Sequence, residues 1–296
     1  MSGAERPKPR AARPPGGSRC SHGLAIAATA LFLTAHSAWA SGGFLADPME
    51  TFIRVALSLP ALLLGIGLHE FAHAYIAVRL GDPTPEDEGR LSLNPLDHLD
   101  PMGSALILAA YAFQLPLLGW GLPVPVRGSM FRNPIRDMLK VGIAGPMMNL
   151  AIGGSAAAAC LAFDSIGFGT TLGLPEQAAF RVAIMLRAIV ITNLSLAAFN
   201  LLPIPPLDGH WVAREFLNAD QTRLLAQIEP YGILVLLMLM QTPVLDTPFR
   251  FVFQLGIGLM TSWAMLGGYL AAVGVAWYLL IRSLPDFYLR RNDPED

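Results

Sequence analysis

Charge is scarce in this 296-residue chain: Asp, Glu, Lys and Arg make up 14% of it, against roughly 25% in an ordinary soluble domain. So few charges cannot solvate the surface of a water-soluble globule, and that class is excluded. Hydrophobic residues reach 53% and the mean hydropathy is +0.49, so lipid must be the solvent over much of the molecule. Cysteine is nearly missing. Cys20 lies in a polar leader and Cys160 in an apolar run, with no CxxC. This excludes a disulfide framework and a thiolate site, leaving His and carboxylates to hold any metal. No basic stripe interleaved with aromatics accompanies the net charge of -2, so no nucleic-acid partner is expected.

The chain opens with a polar, Pro-rich stretch carrying Arg6, Lys8, Arg10, Arg13 and Arg19, a composition that does not fold. An apolar run from Leu24 to Ala35 follows, then Ala38-Trp39-Ala40 before Ser41. Basic n-region, short apolar core and small-residue site describe a signal peptide over residues 1–40. An uncleaved signal anchor fits the same residues.

Apolar segments then cover about 52–80, 104–120, 141–163, 181–202, 231–245 and 252–281. Most approach the roughly 20 residues needed to span a bilayer, so the fold class is an all-α polytopic membrane protein. Lys and Arg gather at 79–90, 127–140, 214–223 and 282–291, and are absent from 164–180. Basic loops mark the cytoplasmic side. The helices at 52–80, 141–163 and 181–202 therefore alternate in direction, the first running inward. Segment 104–120 lies between two basic stretches and contains Pro116 and Gly119. It reads as a re-entrant or surface hairpin, and Pro123-Val-Pro125-Val as an extended piece. Gly145-Pro146 reads as the start of a helix, with proline in the first turn.

Within the first long helix stands Leu68-His69-Glu70-Phe71-Ala72-His73, an H-E-x-x-H pattern. Residues i and i+4 share one helix face, so both imidazoles can reach a single zinc, with Glu70 beside them to take a proton from the attacking water. Chance produces the pattern in about one chain in a hundred. Three ionisable groups in an otherwise apolar helix are costly, however, and by default functional.

A catalytic zinc needs a third protein ligand and an open position. Asp97, His98, Asp100, Asp208 and His210 are the candidates. Asp208 is favoured because it follows Asn200-Leu-Leu-Pro203-Ile-Pro205-Pro206-Leu, where three prolines end the helix and can return a carboxylate to its neighbour. His98 is expected to order its loop, and His210 to face the aqueous entrance. Asn149 and Asn200, amides within apolar helices, either bridge helices or serve the site by binding substrate backbone or the oxyanion.

H-E-F-A-H at 69–73, G-P-M-M-N at 145–149 and N-L-L-P-I-P-P-L-D-G at 200–209 together resemble the site-2 protease family of intramembrane metalloproteases. The stretch from Leu93 to Gly103 resembles that family's compact bacterial branch. The likeness spans roughly 52–215. It implies a three-helix metalloprotease core with flanking transmembrane helices, one zinc per chain on His69, His73 and Asp208, and Glu70 as general base. Asn149 and Asn200 are then substrate-binding or supporting residues near the site. It further implies a transmembrane protein or peptide as substrate, and a place in the bacterial inner membrane with the active site towards the cytoplasm. No PDZ-like insert is visible. The domain plan is a leader at 1–40, a protease core at 41–215, and a loop, two further spans and a tail at 216–296. A zinc transporter is the main rival, but it has little use for Glu70 and shows inverted repeats, which are not evident here. A pseudoprotease would not be expected to keep all four polar residues.

Overall fold

The computed structural model describes residues 48–105, 121–165, 167, 171, 173–240 and 242–284. The leader and nearly all of the expected hairpin lie outside them. Among the described residues the architecture is helical, with a single isolated antiparallel bridge between Leu99 and Gly121 and no strand. Helix α1 spans Pro48–Arg79 and a single turn, α2, spans Thr84–Asp87. Next come α3 at Pro134–Ser165 and α4 at Glu176–Asn200. The amphipathic α5 (Gly209–Phe216) and α6 (Ala219–Ile228) precede α7 (Gly232–Met240), α8 (Asp246–Thr261) and α9 (Trp263–Arg282).

Four helices are long and apolar enough to cross a membrane: α1 over Val55–Arg79, α3, α4 and α9. The protein is an all-α polytopic membrane protein. Helices α1, α3 and α4 pack against one another as a three-helix unit. One apolar cluster joins Ala61 of α1, Ala157 and Leu161 of α3, and Val190 and Leu194 of α4 to Leu259 and Leu266 of α8 and α9. A second, towards the basic end, joins Ala72, Ile76 and Leu80 to Val141, Ala144 and Leu280. The polar residues of the candidate site lie between these two clusters.

Two sequence expectations change here. Helix α3 begins eleven residues before Gly145, so Pro146 lies inside it. Its first turn is built from Pro134, where a missing N–H costs nothing, and from Asp137, whose carboxylate accepts from the Asn133 N–H at 3.0 Å and favours the positive helix end. Two residues of the basic stretch stand in these first turns: Lys140 pairs with Asp137 at 3.0 Å and Arg136 with Glu215 at 3.1 Å. A proline within a membrane helix is tolerated where neighbouring elements satisfy the freed backbone. At the other end, the apolar stretches 231–245 and 252–281 form three helices of 9, 16 and 20 residues. The break falls at Ser262, which is extended and caps α9 by accepting from the Met265 N–H at 3.3 Å. Serine is a preferred cap because its hydroxyl satisfies a first-turn amide.

Candidate metal centre

His69 and His73, one turn apart on α1, turn their Nε2 atoms to within 2.9 Å of each other. Each ring is oriented from behind. His69 Nδ1 lies 2.6 Å from Asn149 Oδ1, and His73 Nδ1 lies 2.6 Å from the Val141 carbonyl. The amide of Asn149 can only be placed this way, because its Nδ2 donates to the Gly65 carbonyl at 3.0 Å and to Asn193 Oδ1 at 2.9 Å. Asn193 Nδ2 in turn donates to the Ile189 carbonyl at 2.9 Å. Both histidines therefore meet acceptors at Nδ1, which must carry the proton, and both present a bare Nε2 lone pair forwards.

The third group arrives from α4. That helix stops at Asn200 because Pro203, Pro205 and Pro206 supply no N–H to continue it, and a series of tight turns leads to Asp208 at the head of α5. The Asp208 side chain does not cap α5. Its Oδ2 lies 3.1 Å from His69 Nε2 and 3.3 Å from His73 Nε2, and the residue is 2% exposed. Close approach explains two glycines. A methyl group on Gly209 would collide with the carbonyls of Leu201 and Leu202. One on Gly145 would lie 2.5 Å from His69 Nε2 and closer still to His73 Nε2.

These donors fit zinc. Two imidazole lone pairs and a carboxylate oxygen converge in a buried space, an arrangement that repels itself unless a cation neutralises it. Their separations of 2.9, 3.1 and 3.3 Å approach the roughly 3.3–3.4 Å edges of a tetrahedral shell with 2.0–2.1 Å bonds. Three protein ligands leave the fourth position open, as a catalytic zinc requires. Among the described residues this is the one cluster of three or more His, Cys, Asp or Glu able to hold a metal.

Glu70 is buried beside the cluster without joining it. Its Oε2 accepts from the Val124 N–H at 3.2 Å, while Oε1 is buried and has no hydrogen-bond partner among the described residues. One oxygen is thus fixed and the other is available for a proton.

The remaining candidates lie elsewhere. His98 is buried and its Nε2 donates to the Ser92 carbonyl at 2.9 Å. Asp97 binds Ser92 and Asn94, and Asp100 accepts from the Gly103 N–H at 2.7 Å. These three order the 92–103 loop. His210 is not at an aqueous entrance: it is 2% exposed, bonded through Nδ1 to the Leu207 carbonyl and packed on Trp211. It stands in the first turn of α5. Asn149 has every amide group engaged by protein, so in this arrangement it orients His69 and has nothing left to donate to substrate. Asn200 donates to the Leu196 carbonyl of its own helix at 2.9 Å. One participant escaped the sequence reading: Asn193. It carried a usable signal, being a third amide in an apolar helix.

Comparison with known proteins agrees with this chemistry. The model of Peptidase family M50 matches residues 113–241, a span that holds Asn149, Asn200 and Asp208. "Putative zinc metalloprotease YwhC" of Bacillus subtilis (strain 168) is 36% identical over 202 residues, covering 66% of this chain and 87% of that protein. A protein of the same description named Rip2, from Mycolicibacterium smegmatis, is 32% identical over 266 residues, 84% of this chain and 95% of its own length. The Rip2 of Mycobacterium tuberculosis (strain H37Rv) is 32% identical over 249 residues, 81% and 89% of the two chains. No solved structure matches significantly.

Proposed function

As the chain belongs to peptidase family M50, the site-2 proteases, and is a zinc metalloprotease of the membrane, we propose that it cuts a peptide bond in or near a transmembrane segment of a membrane-protein substrate. The observation that carries this reading is the convergence of His69, His73 and Asp208, with Glu70 alongside, inside a unit of membrane-crossing helices. Polar groups at that depth are expensive and serve chemistry or transport. A peptide bond brought to them would lie at membrane depth too.

In this proposal His69, His73 and Asp208 hold the zinc. A zinc held there would lower the pKa of a water to about 7 and polarise the scissile carbonyl. Glu70 Oε1 accepts the proton of the attacking water and returns it to the leaving amine. Asn149 keeps the His69 imidazole in the right tautomer and orientation, and Asn193 keeps Asn149 from turning. His73 lies six residues before Arg79 at the end of α1, about 9 Å along the axis at 1.5 Å per residue. Arg79, Arg136, Lys140 and Arg214 at the same end support, by the positive-inside rule, a site nearer the cytoplasmic face, and the resemblance supports a home in the bacterial inner membrane.

A peptide bond within a helix is shielded by its own hydrogen bonds, so substrate must unwind locally before Glu70 can serve it. Each Gly in place of Ala weakens a helix by about 1 kcal/mol. Two glycines near the cut should therefore raise the cleavage rate of a single-span substrate roughly 10- to 30-fold over an uninterrupted Leu-rich span. Equal rates for the two in detergent-purified enzyme would count against an intramembrane substrate.

A further inference from the structure

Arg90 is 7% exposed, and a guanidinium at that burial needs partners for its charge and for all its donors. Three main-chain carbonyls accept from it: Nη1 donates to Asp97, and Nη2 to Leu122 and, at 3.4 Å, to Pro123. The acidic groups whose fields reach it are Glu70, Glu88 and Asp97, Glu70 foremost. Arg90 thus stands between the loop that follows α2 and the extended stretch that reaches the proposed base.

That stretch, 121–127, is pinned along its length. The Leu122 N–H donates to the His98 carbonyl at 2.7 Å. The Arg127 N–H donates to Asp82 Oδ2 at 2.6 Å, and Asp82 is itself held through Oδ1 by the Thr84 N–H at 3.0 Å. Pro123 and Pro125 have no N–H to offer. Between the two fixed ends, the Val124 N–H meets Glu70 Oε2 at 3.2 Å. A carboxylate that rotates freely presents either oxygen, but one tied by a stationary amide presents a chosen one. The Leu122 and Pro123 carbonyls, directly before Val124, are the atoms that Arg90 grips.

We propose that Arg90 is a positioning residue for hydrolysis: by holding the Leu122 and Pro123 carbonyls it keeps the Val124 amide on Glu70 Oε2 and leaves Oε1 as the oxygen that handles the proton. Arginine suits this task because its rigid fork reaches several acceptors at once, whereas lysine is a single flexible point of donation. The proposal rests on Glu70 being the base.

Full-length wild type, Arg90→Gln, Arg90→Lys and Glu70→Gln, each supplied with zinc, are to be compared for bound metal and for steady-state cleavage of one single-span substrate in detergent. All four should hold about one zinc per chain. Arg90→Gln should lose about 10- to 100-fold in kcat, the usual scale for a lost orienting partner, with KM changed less than about 3-fold, and Arg90→Lys should lie between it and wild type. An unchanged kcat in Arg90→Gln overturns the proposal. So does a fall in kcat that comes with lost zinc or that lysine does not relieve, since that marks a merely structural role. If Arg90→Gln cannot be purified, Arg90→Lys alone decides: intact zinc with kcat at least roughly 3-fold below wild type supports the proposal, and wild-type kcat refutes it. Cleavage by Glu70→Gln would instead remove the base on which the inference stands.

Discussion

Replacing Gly145 by alanine should empty the metal site without unfolding the protein. The new methyl carbon would lie 2.5 Å from both Nε2 and Cε1 of His69, and closer still to His73 Nε2. Non-bonded carbon contacts settle at about 3.5–4.0 Å, so the two imidazoles would have to retreat by roughly 1 Å. A zinc site tolerates about 0.2 Å in its ligand distances, and the same imidazoles are held from behind by Asn149 and Val141. They cannot retreat without breaking those bonds. Helix propensity acts in the opposite direction, since alanine favours a helix over glycine by about 1 kcal/mol. Loss of metal should therefore appear with no loss of helix content. The assay is zinc per chain by elemental analysis after purification with zinc present, together with helicity by circular dichroism and cleavage of a single-span substrate. Gly267→Ala is the control, since among the described residues nothing lies within 4 Å of a methyl group at Gly267. Gly145→Ala should bind less than about a tenth of a zinc per chain and should not cleave, while Gly267→Ala should match wild type. Full zinc and full activity in Gly145→Ala would show that α1 and α3 do not approach as described.

Asn149→Ala removes the acceptor behind His69 and should weaken zinc binding by about 10- to 100-fold, read by competition with a chelator of known affinity; unchanged affinity would remove Asn149 from the site. Asp208→Asn keeps the shape of the third ligand but not its charge, and should lose zinc at a chelator concentration that wild type withstands. Equal retention would point to another third ligand.

The heart of the site was legible because it depends on local rules. Residues i and i+4 share a helix face whatever surrounds them, so His69 and His73 could be paired from spacing alone. Three prolines end a helix in any context, and this singled out Asp208 from four other candidates. What escaped depends on partners distant in sequence. His210 looked exposed because it stands beside a glycine in a polar loop, but α5 folds it inward onto Leu207 and Trp211. Pro146 looked like a helix start because Gly-Pro is a boundary signal in water, whereas within the membrane α3 runs through it. Arg90 and Asp82 passed for solvated loop charges. Their roles become visible only when residues 121–127 lie along them, and no periodicity encodes that contact. Ser262, a capping residue within an apolar run, was a readable break that hydropathy concealed.

In the proposed reaction a zinc held by His69, His73 and Asp208 and a proton carried by Glu70 hydrolyse a peptide bond at membrane depth. Wild type and Glu70→Gln, purified with zinc and incubated with a panel of single-span substrates, test it most directly. Both proteins should hold about one zinc per chain, and wild type alone should cleave. Wild type without zinc, or Glu70→Gln cleaving at the wild-type rate, would contradict it.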